Sequence, residues 1–142
     1  MNILVLNGPN LNLLGTRDPE VYGNETLSDI NTFLIAEFPN HELNFFQSNV
    51  EGELINRLQQ AMKNGTEAIV ANFGAYTHTS VALRDALEPI GIPKVEVHMS
   101  NIHAREEFRE KSLTGEVMNG IITGFGKHSY VLGIKAAEYL SK

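Results

Sequence analysis

The chain has 142 residues, with 11 Lys and Arg against 17 Asp and Glu, a formal charge of −6. That length suits one domain with a sizeable core; hydrophobic residues at 42% and charged residues at 20% exclude a disordered chain, and the acidic balance argues against a nucleic-acid binder, whose face is basic. Cysteine is absent, which excludes disulfides, thiolate metal sites and Cys nucleophiles, and the five His show no HxH or HExxH spacing, which argues against a metal hydrolase.

In chain order, Ile3 to Leu6 form a continuous apolar run that predicts a first strand, followed by the Gly/Pro/Asn-rich stretch NGPNLNLLGTRDPEVYGN. From Thr26, Leu27, Ile30, Leu34 and Phe38 mark one helical face that Pro39 closes. Leu43 to Phe46 predict the second strand, and Leu54, Ile55, Leu58 and Ala61 a helical stripe stopped by Asn64-Gly65. Its start reads either as a turn whose Gln47, Ser48 and Asn49 support a lid formed by the first loop, or as a capped helix start with Ser48 or Asn49 as cap and Glu51 and Glu53 in the first turn. Ala68 to Ala71 predict the third strand, residues 80–87 a helix, and Val95 to His98 the fourth strand. A polar Arg/Glu-rich segment leads to a fifth strand over Val117 to Ile122 and a last helix over residues 129–140.

Five strand-like runs separated by helices predict a parallel sheet covered on both faces, in a single flavodoxin-like, doubly wound α/β domain spanning residues 1–142. The N-terminus has no basic n-region, and no apolar run approaches the roughly 20 residues of a membrane span, so a cytoplasmic protein is expected. In such folds the ligand lies beyond the strand C-termini. The segments there are Asn7 to Gly23, Asn72 to Ser80, and His98 to Arg109.

The first is long for a loop and carries Arg17, Asp18 and Tyr22 between Gly15 and Gly23. A guanidinium beside a phenol favours the phenolate, so Arg17 and Tyr22 read either as a tuned base on a lid or as a surface loop with Arg17 paired to Asp18 or Glu20. In NFGAYTHTS, Asn72 ends a strand, Gly74 permits close backbone approach, and Thr77 to Ser80 offer caps. His78 there is either a ligand for an anion or hydroxyl near a helix start, or a solvated turn residue. Glu96 and His98, two apart on a strand, face the same side; the carboxylate would orient the imidazole as a general acid, the alternative being a strand-edge salt bridge. Ser100 and nearby amides would suit a carboxylate, and Arg105 and Arg109 lie four apart on one helical face, the alternative for this pair being solvated pairing with Glu106 or Glu110. His128 reads as the start of the last helix, and His41 and His103 as structural or exposed.

The runs NGPNLNLLGTRDPEVYG, FQSNVEGEL, NFGAYTHTSVALRDAL and EVHMSNIHAREEFR, with the later GxIxGFGxxSY pattern, resemble type II 3-dehydroquinate dehydratase over essentially the whole chain. The resemblance implies a flavodoxin-like domain assembled as a homododecamer of trimers. It also implies loss of water from 3-dehydroquinate to give 3-dehydroshikimate, by anti elimination through an enolate, with no metal, cofactor or Schiff base. By motif, Tyr22 corresponds to the base, Arg17 to the lid residue that lowers its pKa, His98 to the acid and Glu96 to the residue that orients it. Asn72, the Met99 amide and Ser100 correspond to the positions that hold the substrate carboxylate and adjoining hydroxyl, and His78 and Arg109 to hydroxyl-binding positions. Asp85 corresponds to a residue offered by a neighbouring subunit, and Asn10 and Gly74 to supporting parts of the pocket.

Three departures stand out. Phe73 replaces the usual Pro of an NPGA turn, Val50 the usual His of SNHEGEL, and SLTGEVMNG, with Glu116 and Asn119, an apolar IAPVCVG-like segment. Other functions on this fold find less support. A phosphoacceptor domain needs acidic residues where Asn7 and Asn72 stand, an FMN site needs a hydroxyl-rich first loop, and a Ser hydrolase needs a GxSxG elbow that does not occur.

Overall fold

In the computed structural model, which describes residues 1–16, 20 and 23–142, five strands form one all-parallel sheet in the order β2-β1-β3-β4-β5. The strands are β1 (Asn2–Asn7), β2 (Glu42–Gln47), β3 (Ala68–Asn72), β4 (Lys94–His98) and β5 (Gly120–Thr123). Among the described residues four α-helices cover the sheet: α1 (Leu27–Glu37), α2 (Glu51–Ala61), α3 (Val81–Leu87) and α4 (His128–Leu140). This is the doubly wound, flavodoxin-like order expected of the alternating pattern.

The central strands are apolar on both sides because both faces are covered. Ile3, Val5, Val70, Val95 and Val97 turn towards Ile30 and Leu34 of α1 and Ile134 and Ala137 of α4. The alternate residues Leu4, Leu6, Ile69 and Ala71 pack with Leu54 and Leu58 of α2 and Leu83 and Leu87 of α3. Local signals set the helix ends. Thr26 and Asp29 form a reciprocal capping box on α1, at 3.0 and 3.1 Å, and Ser80 Oγ accepts the Leu83 N–H at 2.9 Å to start α3.

Three expectations need correction. The cap position of α2 is Val50, which makes no side-chain bond. Ser48 Oγ instead accepts from Val50 N and donates to the Glu53 carboxylate, while Asn49 is bound to the first loop. The fifth strand does not begin at Val117: residues Gly115–Val117 are a 3₁₀ turn, and Val117 and Met118 pack against the α2–α3 side of the core. Asn119 then ties this segment to β4, its Oδ1 accepting from Lys94 N and its N–H donating to Lys94 O, both at 2.8 Å. Finally, Arg105 and Arg109 do not share a helix; two separate 3₁₀ turns, Ile102–Ala104 and Glu107–Arg109, occupy that stretch. Among the described residues no helix is long and apolar enough to cross a membrane.

Candidate active site

The crossover from β1 to β2 on one side and from β3 to β4 on the other opens a crevice beyond the strand ends. A cavity of about 140 Å³ lies there, lined by residues of all three predicted segments, including Asn10, Asn72, Gly74, His78, His98, Met99, Ser100, Arg105 and Arg109.

Two backbone features shape its floor. Gly8 N–H donates to Asn72 O at 2.8 Å, and a Cβ on Gly8 would lie 2.3 Å from the Phe73 carbonyl oxygen, so only glycine lets the first and third loops meet this closely. At Gly74 the backbone has φ +59°, a conformation that disfavours side chains, and its N–H donates to Asn72 Oδ1 at 3.1 Å. Phe73 sits between them at φ −79°, close to the angle a proline would impose, and its ring is fully buried against the α2–α3 core. The Phe73 backbone is thus in a conformation that a proline would also adopt. Asn10 is the one non-glycine residue with positive φ among those described, at 70°, a conformation Asn tolerates better than most. The bond from its N–H to Asn49 Oδ1, 2.9 Å, holds it there.

At the end of β4, Glu96 and His98 do share a face, with His98 Nε2 2.9 Å from Glu96 Oε2. Glu96 is completely buried. Burial pushes its carboxyl up, but the hydrogen bond and charge of His98, with hydroxyl donors from Thr114 and Ser112, outweigh it and hold Glu96 below the ordinary carboxylate range. Ser112 Oγ donates at 2.7 Å to the oxygen that faces His98, and Thr114 donates to the other. These two hydroxyls come from the divergent SLTGEVMNG segment and carry no sequence signal of this role, because they lie 16 and 18 residues from Glu96. Glu116 of the same segment meets Arg84 Nε at 3.3 Å on the surface.

The His78 ring stacks beside that of His98, with centroids 6.3 Å apart and planes at 21°. Its Nδ1 lies 2.8 Å from Lys111 O and, facing a carbonyl, must carry the proton. Burial depresses its pKa, reinforced by charge from His98 and Arg109 and opposed by the Lys111 bond and Glu96, so neutral His78 presents Nε2 as an acceptor. The other wall is cationic. Arg105 Nη1 donates to Ser100 Oγ at 3.2 Å, and Arg109 Nε is held by Glu106 at 3.0 Å. The end of β5 and the loop that follows it pin the Met99–Ser100 backbone: Thr123 Oγ1 donates to Ser100 O at 2.8 Å and Gly126 N–H to Met99 O at 2.9 Å.

The structure thus gathers Asn10, Asn72, Gly74, His78, Glu96, His98, Met99, Ser100 and Arg109 around one cavity. Arg105, which the motif comparison leaves without a role, joins them through Ser100. Asp85 does not line it; it is exposed on α3, 4.0 Å from Arg84. Arg17 and Tyr22 lie outside the described residues. Val50 is 55% exposed at the start of α2. Among the described residues no three His, Cys, Asp or Glu side chains gather as a metal site would require. A small anion with several hydroxyls fits this arrangement: cationic and amide donors on two walls, an imidazole acceptor on a third, and an imidazole–carboxylate pair at the base.

The family model described as Dehydroquinase class II matches residues 1–138. The chain is 57% identical over 137 residues to a 3-dehydroquinate dehydratase of Pelodictyon phaeoclathratiforme, covering 96% of this chain and 91% of the relative. It is 56% identical over 138 residues to one of Hahella chejuensis, covering 96% and 94%. The crystal structure of type II dehydroquinase from Butyrivibrio crossotus superposes with a TM-score of 0.95 at 47% identity, covering 97% of each chain. With its strand order and with most of the motif residues that the structure describes gathered at one crevice, the chain belongs to the class II dehydroquinase family.

Proposed function

We propose that this chain removes water from 3-dehydroquinate to form 3-dehydroshikimate, as a hydro-lyase of the shikimate pathway, in the cavity beyond β1, β3 and β4. The observation that carries the assignment of the site is the buried Glu96–His98 pair, 2.9 Å apart, opening onto a cavity lined by Asn72, Ser100 and Arg109. In this reading residues 1–142 form one catalytic domain.

Elimination begins when a base removes the proton next to the substrate ketone, leaving the electron pair in an enolate. Tyr22 is that base and Arg17 the cation that favours its phenolate; the motif that contains them supports this assignment. Asn10 and Gly74 shape the region where hydrogen bonds receive the enolate oxygen. The enolate then expels the hydroxyl on the opposite face, and the C–O bond breaks as that oxygen takes a proton from His98, leaving as water. Glu96 orients the imidazole through one ring nitrogen and offers the counter-charge for its protonated form, and the ring's other edge serves the cavity. Asn72, the Met99 amide and Ser100 hold the substrate carboxylate and neighbouring hydroxyl, and His78 and Arg109 its other hydroxyls. Ser100 is held for this by Arg105.

Asp85, exposed and outside this cavity, serves the cavity of an adjacent copy in a homododecamer of trimers. The location that fits this metabolism is the cytoplasm.

The direct test is ultraviolet absorbance of purified protein mixed with 3-dehydroquinate in chelator, beside Tyr22→Phe and His98→Ala, with light scattering to count the copies. A conjugated-enone signal that rises in the wild type and is nearly lost in both variants is expected. A flat wild-type trace from folded, assembled protein overturns the function. Near-normal turnover of Tyr22→Phe removes Tyr22 from its role, and a His98→Ala protein that loses binding but not turnover at saturation removes His98 from its own.

A further inference from the structure

Tyr130 has no part in the chemistry above, yet its hydroxyl meets the site from behind. The side chain lies in the first turn of α4 and is completely buried. Burial pushes its phenol far above the usual range, opposed only by the Asn72 bond, so it remains a neutral O–H group. That O–H donates to Asn7 Oδ1 at 2.5 Å and accepts from Asn72 Nδ2 at 2.9 Å. Asn7 and Asn72 are register partners at the ends of β1 and β3, and so one hydroxyl from a helix bridges the two strand ends that open the crevice.

The chain of donors has a direction. The Tyr130 proton is given to Asn7, so its oxygen can only accept from Asn72, and the Asn72 carbonyl oxygen is taken by Gly74 N–H at 3.1 Å. Both ends of the Asn72 amide are thereby assigned, and the one amide hydrogen left for the cavity that Asn72 lines is the second on Nδ2. We propose that Tyr130 is a positioning residue for substrate binding: the relay Asn7–Tyr130–Asn72 locks the Asn72 carboxamide with its N–H group towards the cavity, so that this position takes an oxygen acceptor such as a carboxylate. The inference rests on the reading of Asn72 as a substrate-binding residue. Without the hydroxyl, Nδ2 loses its acceptor and only the Gly74 N–H bond still holds the carboxamide, so its N–H group is no longer fixed towards the cavity and meets the anion less well.

The test measures kcat, KM for 3-dehydroquinate and melting temperature for Tyr130→Phe, Asn72→Ala and the double variant. Tyr130→Phe is expected to raise KM about tenfold, a tenfold effect being about 1.4 kcal/mol, with kcat changed far less, and to add nothing to kcat/KM in the Asn72→Ala background. A Tyr130→Phe protein with a lower melting temperature and unchanged KM, or effects that multiply in the double variant, overturns the inference while leaving Asn72 in place. Asn72→Ala with wild-type kinetics overturns the reading of Asn72 itself, and the inference with it. Should Tyr130→Phe not fold, Asn7→Leu keeps Tyr130 but takes away its acceptor. The hydroxyl then has no acceptor for its proton and is no longer held against Asn72 Nδ2, so the relay is broken at its first link; the same rise in KM is expected, and an unchanged KM is the refuting result.

Discussion

Replacing Thr114 with Val tests whether Glu96 is held ionised by neutral donors. The substitution is nearly isosteric and leaves a fully buried side chain in place, but deletes the hydroxyl that donates to Glu96 Oε1 and lies 3.3 Å from Thr77 Oγ1. A hydrogen bond to a charged group contributes about 1.5–3 kcal/mol, and here the acceptor is a carboxylate without solvent to replace the lost donor. The expected loss of stability near neutral pH is therefore about 2 kcal/mol. Its pH dependence has a sign. The folded-state pKa of Glu96 lies below its ordinary value of 4.5, so the stabilisation is complete above that value and fades as pH falls towards the folded pKa. The hydroxyl supports the charged form, so the gap between wild type and Thr114→Val should narrow as the solution is acidified and Glu96 takes up a proton. Denaturant unfolding at a series of pH values from neutral to acid reads this directly. A gap of constant size across the series would mean that the hydroxyl matters for packing alone, and would refute the account of a carboxylate held by its donors. If Glu96 orients His98 for proton transfer, kcat should also fall, by roughly tenfold per 1.4 kcal/mol of lost transition-state support, with KM little changed.

Gly8→Ala should lower both activity and stability, because its Cβ would meet the Phe73 backbone rather than a movable side chain; steady-state kinetics and unfolding check this, and wild-type behaviour in both would contradict the close contact of the two loops. Phe73→Ala empties a fully buried ring position and is expected to cost about 3–5 kcal/mol in denaturant unfolding; a loss below about 1 kcal/mol would show that the core closes over the gap. Val50→Ser places a side-chain acceptor at an uncapped helix start and should stabilise the protein by about 0.5–2 kcal/mol with kcat unchanged, read from the unfolding midpoint, and no gain would mean that the new hydroxyl does not reach the helix N–H groups.

The alternation of short apolar runs with helical stripes was sufficient for the parallel doubly wound sheet, because strands buried on both faces must be apolar throughout and the helices that cover them must repeat at 3.6 residues. The Glu96–His98 pair was equally legible, since residues two apart on a strand share a face whatever surrounds them. Local signals failed where a side chain had a distant claim on it. Asn49, open in the sequence to a cap or to support of the first loop, is bound to Asn10, and the arginines that read as one helical face fall at the ends of two separate turns, one of them joined to Ser100. Phe73 and the 112–119 segment depart from the motif; only the tertiary structure shows Phe73 at a backbone angle that proline shares, with its ring buried, and Ser112 and Thr114 on the Glu96 carboxylate. The same holds for Tyr130, whose hydroxyl reaches Asn7 and Asn72 across 123 and 58 residues of chain. Periodicity is a property of neighbouring residues and survives in one dimension, whereas a buried polar group finds its partner wherever folding brings a donor or acceptor within about 3 Å.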